Sequence, residues 1–115
     1  MPLLKIETSV ALSGDEQKTL LAALSKIVAE VIGKPEQYVM VVYGQSAMRM
    51  SGRDGEAAFV DIRSIGGLSH AVNQRLAAPV CEILSDALGI PPDRIYLNFT
   101  EVAAGSWGWN GSTFA

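Results

Sequence analysis

Apolar and polar residues alternate loosely from Leu3 to Thr8, the period of a strand, and Ser13-Gly14-Asp15-Glu16 then matches the capping box that opens a helix. From about Gly14 the period changes. Leu20, Leu24, Ile27, Val28 and Val31 recur at spacings of three and four, which predicts a helix with one apolar stripe, stopped by Gly33 and Pro35. Tyr38 to Tyr43 is apolar at nearly every position, the signature of a strand covered on both faces, and is expected at the centre of a parallel arrangement. After the turn-rich segment Ser51-Gly52-Arg53-Asp54-Gly55 the order repeats: strand Ala57 to Ser64, helix from about Ser69 to Leu88, strand Arg94 to Val102. The second helix carries Val72, Leu76, Val80, Ile83, Leu84 and Leu88 inward, and Gly89 with Pro91-Pro92 ends it as Gly33 and Pro35 end the first.

The chain therefore reads as one β-α-β unit written twice. Two right-handed crossovers that put both helices on one face of a four-stranded mixed sheet make a two-layer α/β sandwich. The opposite sheet face is left to be covered by other copies of the chain. Pro79 conflicts locally with this reading. It lies inside the second helix, lacks an amide donor and crowds the Arg75 carbonyl, so a kink or loosened turn is expected there.

Composition narrows the function. The 115 residues fit a single domain, 1–115, and 49% hydrophobic with 18% charged content is apolar for so small a chain, which points again to association. Twelve acidic against nine basic residues give a net charge of −3 with no Lys/Arg cluster, so nucleic acid is not an expected partner. No apolar run is long enough to span a bilayer, and the N-terminus lacks signal-peptide character, so a cytoplasmic location is expected. The single Cys81, among Leu76, Val80, Ile83 and Leu84, reads as a buried apolar thiol. His70 has no Cys or His neighbours at ligand spacing, and no metal site is expected.

Candidate chemistry starts at Pro2. A small second residue normally permits removal of Met1, which would leave a secondary amine at the head of a strand. Ordinary α-amino groups titrate at about 7.7–8.0, and an apolar pocket or a nearby cation lowers that, giving a base near neutral pH. Lys34, held between Gly33 and Pro35, is either a solvated surface charge or such a cation, and in the second case it would also attract a carboxylate. Ser64-Ile65-Gly66-Gly67 joins strand to helix, with glycines that leave backbone amides open to an anionic group. It matches neither a P-loop nor a dinucleotide fingerprint, and no cofactor is expected. Tyr96 and Asn98 share one face of the last strand, where Asn98 needs a hydrogen-bonding reason, structural or ligand-directed. The aromatic tail Trp107-Gly108-Trp109 through Phe114 must pack, as subunit glue or as pocket lining.

These pieces together resemble the macrophage migration inhibitory factor family of the tautomerase superfamily over essentially the full length. The resemblance rests on Pro2, Gly33-Lys34-Pro35 with Gln37-Tyr38, Ser64-Ile65-Gly66, Pro92-Asp93-Arg94 with Tyr96 and Asn98, and Gly108-Trp109-Asn110 with Ser112-Thr113-Phe114-Ala115. It implies a homotrimer in which short strands near Ala47 to Met50 and Trp107 to Trp109 extend neighbouring sheets, with sites between subunits. Pro2, Lys34, Tyr38, Ser64 and Ile65 would come from one chain and Tyr96 and Asn98 from its neighbour, while Leu3, Trp107, Trp109 and Phe114 would line the pocket. The implied activity is keto–enol tautomerisation of a small aromatic α-keto acid such as phenylpyruvate, with the Pro2 amine as base and acid and Lys34 on the carboxylate.

The family also contains cytokine-like proteins, and the alternative reading is a receptor-binding protein with an incidental or weak tautomerase site, for which secretion without a signal peptide would be required. The departures are local. Ala57 and Val60 stand where vertebrate members carry a Cys-X-X-Cys pair, so thiol exchange has no chemical basis here. Thr100 replaces an aromatic at the pocket mouth, and Trp107 a smaller residue.

Overall fold

A computed structural model describes residues 1–115. The principal strands are β1 (Pro2–Thr8), β2 (Met40–Gln45), β5 (Ala58–Ser64) and β6 (Ile95–Glu101), and the helices are α1 (Gly14–Ile32) and α2 (His70–Leu88). Two short hairpins complete the set: β3 (Arg49–Met50) with β4 (Arg53–Asp54), and β7 (Gly108–Trp109) with β8 (Ser112–Thr113). The four long strands form one mixed sheet in the order β2-β1-β5-β6. β1 runs parallel to β2 and β5 to β6, and the two β-α-β units join through the antiparallel β1–β5 pair, which aligns Pro2 with Ser64 and Thr8 with Ala58.

Side-chain alternation divides the sheet into two faces. Leu4, Ile6, Ala58, Val60, Ile62 and Ile95 point toward the helices and join Leu20, Leu24, Val28, Leu76, Val80, Leu84 and Leu88 in one buried core. Each fully buried aliphatic side chain of this kind stabilises the fold by roughly 1.5–3 kcal/mol relative to exposure. The α2 residues spaced by four are buried, whereas Val72 and Ile83 lie on the flanks and are half-buried. Cys81 is half-buried too, not enclosed as the sequence suggested, and its partial burial raises the thiol pKa.

Two further expectations are corrected. The strand expected over Tyr38–Tyr43 begins at Met40, because Pro35 sets up a 3₁₀ turn over Glu36–Tyr38 that takes Tyr38 out of the ladder. It also occupies the sheet edge, not the centre. Its continuous apolar pattern has a different cause: Val39, Val41 and Tyr43 pack on the core, while Met40 on the other face is 63% exposed. Helix α2 passes through Pro79 without interruption. No helix is long and apolar enough to cross a membrane.

The hairpins pair within the chain and turn through left-handed residues, Ser51 and Gly52 in the first and Asn110 and Gly111 in the second. An Asn-Gly pair is the preferred centre of such a two-residue turn. Buried Arg94 fastens the first hairpin to β6 by donating to the carbonyls of Met50 at 2.8 Å, Glu56 at 3.1 Å and Gly55 at 3.4 Å.

Candidate functional site

One end of the β1–β5 pair gathers most of the candidate groups. Pro2 opens β1 with its ring fully buried toward the helices, opposite Ser64. The Ile65 amide, at the start of the following turn, donates to the Met1 carbonyl at 3.4 Å. Ser64 is buried, and its hydroxyl donates to the Gly66 carbonyl at 2.7 Å, so it is committed to shaping the turn.

Lys34 arrives from α1. The helix ends at Gly33 in the left-handed conformation, with φ 78° and ψ 36°, and the chain then leaves through Lys34 and Pro35. Its side chain crosses the Gly66-Gly67 turn. A Cβ built on Gly66 would lie 3.9 Å from Lys34 Nζ, and one on Gly67 would lie 3.4 Å from Lys34 Cε. Burial, and then the Lys34 charge, hold the Met1 α-amine below its ordinary pKa, because both disfavour a second ammonium in this corner.

Tyr38 borders the same corner. A hollow of about 440 Å³ is lined by Met1, Gln37, Tyr38, Val39, Met40 and Trp109. The Trp109 ring stacks on Phe114 with centroids 6.2 Å apart and planes 11° from parallel, which brings the tail to this wall. The hollow is walled mainly by aromatic and aliphatic side chains, and Met1 links it to the corner that holds Lys34 and the Ile65 amide.

Four candidates lie elsewhere in the chain. Leu3 and Trp107 line a separate hollow with Arg63 and Val102. Tyr96, 65% exposed, lines another with Met48, Met50 and Phe59. The register sets Tyr96 level with Phe59, five residues along β5 from the Ser64 that faces Pro2, a separation of about 16 Å along the strand. Asn98 is exposed on the open sheet face, where its Oδ1 accepts from the Thr100 hydroxyl at 3.3 Å. His70, exposed at the first position of α2, stands apart from all of these.

The sequence reading missed the Met1 carbonyl and the participation of Gln37, Val39 and Met40. Nothing in their pattern marks them, since they are brought in by the 3₁₀ turn that replaced the expected start of a strand. It also passed over Asn110-Gly111, whose turn signature would have located the hairpin that carries Trp109. A hollow of about 620 Å³ on the helical side, lined by Leu12, Leu20, Ile83 and Asp86 among others, includes none of the candidate residues.

Comparison with known proteins identifies the family and the fold. The family model described as Macrophage migration inhibitory factor (MIF) matches residues 1–115. The macrophage migration inhibitory factor of Meriones unguiculatus is 39% identical over 116 residues, covering 100% of both chains. The homologue from Trichuris trichiura is 36% identical over 115 residues, covering 99% of this chain and 100% of its own. Among solved structures, the homologue from Prochlorococcus marinus superposes with a TM-score of 0.93 at 42% identity, covering 98% of this chain and 99% of that one. The Toxoplasma gondii protein gives 0.94 at 36%, covering 97% and 99%. With its whole length matched, its fold shared and identities of 36% to 42%, this chain belongs to the macrophage migration inhibitory factor family.

Proposed function

We propose that the protein is a keto–enol tautomerase of phenylpyruvate-type aromatic α-keto acids, with the Pro2 nitrogen, freed by loss of Met1, as its base and acid. The observation that carries this reading is the convergence of the Met1–Pro2 junction, the Lys34 charge and the Ile65 amide beside an aromatic-walled hollow. Loss of Met1 would do two things at once. It turns a tertiary amide without a basic lone pair into a secondary amine, and it releases the Ile65 amide from its acceptor.

The Pro2 lone pair then removes a proton from the carbon next to the keto group. The C–H electrons form the C=C bond, the carbonyl π pair moves to oxygen, and the prolinium returns the proton to that oxygen. Nothing is oxidised or consumed. Lys34 anchors the carboxylate, the Ile65 amide donates to a substrate oxygen, and Tyr38, Trp109 and Phe114 enclose the ring. Burial and the Lys34 charge, which hold the Met1 α-amine below its ordinary pKa, would act in the same sense on the Pro2 amine that replaces it and favour its neutral, basic form.

The distance from Pro2 to Tyr96 and Asn98 supports a site completed by a second copy of the chain, in a homotrimer. Met40, Phe59 and Tyr96 expose apolar surface that such an assembly would cover. The pocket would be completed by the neighbour's Tyr96 and Asn98 and by Leu3 and Trp107 at the subunit boundary.

The test is enol formation from phenylpyruvate by purified protein and by Pro2→Gly. Positioned proton transfer contributes about 10²–10⁴, so the variant is expected to lose at least about tenfold in kcat with its assembly state unchanged. Wild-type turnover in Pro2→Gly would exclude the proline as base.

A further inference from the structure

The second glycine of the Gly66-Gly67 turn has no part in the chemistry described so far, yet it has the tightest surroundings of any glycine in the chain. Its φ is +82°, a conformation side chains rarely adopt. A Cβ there would come within 2.7 Å of Ile32 Cγ2 and 3.3 Å of the Ile32 carbonyl oxygen, closer than the neighbours can accept without moving, and 3.4 Å from Lys34 Cε. Ile32 is the last residue of α1 and is buried, and Gly33 and Lys34 follow it directly. Any displacement of Ile32 therefore shifts the backbone from which Lys34 departs. The same Cβ would lie in van der Waals contact with the Lys34 stem, so that side chain runs close over the turn.

We infer that Gly67 is a positioning residue for Lys34: its bare backbone is the saddle across which the lysine reaches the N-terminal corner, and it thereby sets the preference for carboxylate substrates. This inference rests on the proposed tautomerase reading for its substrate. It rests on geometry for the lysine.

Gly66 provides the matched comparison. Its φ of +70° carries similar strain, but a Cβ there would meet only Lys34 Nζ at 3.9 Å, an ordinary contact. Alanine at either position pays the left-handed penalty, and only alanine at 67 collides with the end of α1. A purely conformational effect would be shared by both.

The experiment compares Gly67→Ala, Gly66→Ala and Lys34→Ala, each alone, with the double variant Gly67→Ala/Lys34→Ala. Gly67→Ala is expected to raise KM for phenylpyruvate about fivefold with kcat nearly unchanged, the signature of weakened uniform binding. The methyl ester of phenylpyruvate should be unaffected. Gly66→Ala should change KM less, and Gly67→Ala should add nothing once Lys34 is absent. The pH dependence of N-terminal amine alkylation should also shift upward in Gly67→Ala, because a displaced ammonium no longer opposes protonation.

Equal losses on acid and ester, or a Gly67→Ala factor that persists in the Lys34→Ala background, would overturn the inference. If Gly67→Ala does not fold, adding Ile32→Ala removes the colliding Cγ2, and KM for the acid is then expected to return to that of Ile32→Ala alone; an equal loss on acid and ester in that pair would overturn the inference. Absence of any turnover in the wild type would refute the tautomerase reading. Phenylacetate affinity and the amine titration would then still decide whether Gly67 holds Lys34.

Discussion

At one end of the β1–β5 pair stand Met1-Pro2, Lys34 and Ser64-Ile65; at the other, the internal duplication sets Ala57-Ala58, Ile90 and Thr8-Ser9 in corresponding places. The backbone is nearly the same. Gly33 and Gly89 both end their helices left-handed, at φ 78° and 68°, and Pro35 and Pro91 both lead into a 3₁₀ turn before the next strand. The Ser46 amide donates to Thr8 at 2.9 Å and the Val102 amide to Ser64 at 2.9 Å. The Ser9 amide donates to the Ala57 carbonyl at 3.3 Å, as the Ile65 amide does to Met1 at 3.4 Å.

Two differences separate the ends. Where the first has Lys34, the second has Ile90, 3% exposed and part of the core. Where the first has a carbonyl on a residue that processing can remove, the second has Ala57, held within the chain. The two ends thus share one scaffold and differ at one side chain and one peptide bond, Lys34 against Ile90 and Met1–Pro2 against Ala57–Ala58.

The largest expected effect comes from that peptide bond. Across preparations, tautomerase activity should scale with the fraction of chains lacking Met1 by intact mass, and fully unprocessed protein should be nearly inactive. An amide nitrogen cannot supply the proton-transfer factor of about 10²–10⁴. Full activity in protein shown to retain Met1 on every chain would break the proposed contrast between the two ends.

The corresponding residues 34 and 90 should fail in opposite ways. Ile90→Ala removes a buried aliphatic side chain and should cost about 2–5 kcal/mol in chemical denaturation, with KM unchanged in the folded fraction. Lys34→Ala should leave the denaturation midpoint close to wild type and raise KM for carboxylate substrates. It also moves the acid limb of the kcat/KM profile. Burial, and then the Lys34 charge, hold the Met1 α-amine down, and the same charge would act on the Pro2 amine that replaces it, so removing Lys34 should raise that pKa and make the neutral base disappear at a higher pH. An acid limb that stays in place or moves lower would remove Lys34 from the corner.

Much of this contrast was legible in the residues. Periodicity located both helices and three of the four long strands closely, and Gly-X-Pro at 33–35 and 89–91 disclosed the duplication. Periodicity could not place Met40–Gln45 at the edge, because an apolar residue looks the same whether a helix covers it or nothing in the chain does. Residue types singled out Lys34 and Ile65. They could not reveal that Ser64 is spent on its own turn, that the Ile65 amide is engaged by Met1, or that Leu3 and Trp107 lie outside the corner, since these depend on register and on turn geometry, whereas the family resemblance already implied that Tyr96 and Asn98 lie away from Pro2 of the same chain.

The smallest expected effect distinguishes the two helix starts. In α1 the Ser13 hydroxyl accepts from the Glu16 amide at 3.2 Å and the Glu16 carboxylate accepts from the Ser13 amide at 2.9 Å; in α2 Ser69 accepts from Val72 at 3.1 Å, and Val72 has no carboxylate to answer. Ser69→Ala should cost about 1 kcal/mol, and that loss should be flat with pH because no titrating group takes part. The first start behaves otherwise. Hydrogen bonds from the Ser13 backbone, and then its side chain, hold the Glu16 carboxyl below its ordinary pKa. A depressed folded-state carboxyl contributes stability that is present above its unfolded pKa and lost as pH falls through the folded one. Glu16→Gln should therefore be slightly less stable than wild type near neutral pH and converge with it in acid. Urea midpoints measured from pH 7 down to about pH 3 check both trends. A wild-type to Glu16→Gln difference that does not shrink on acidification would mean that the charge of Glu16 contributes nothing to capping the first helix.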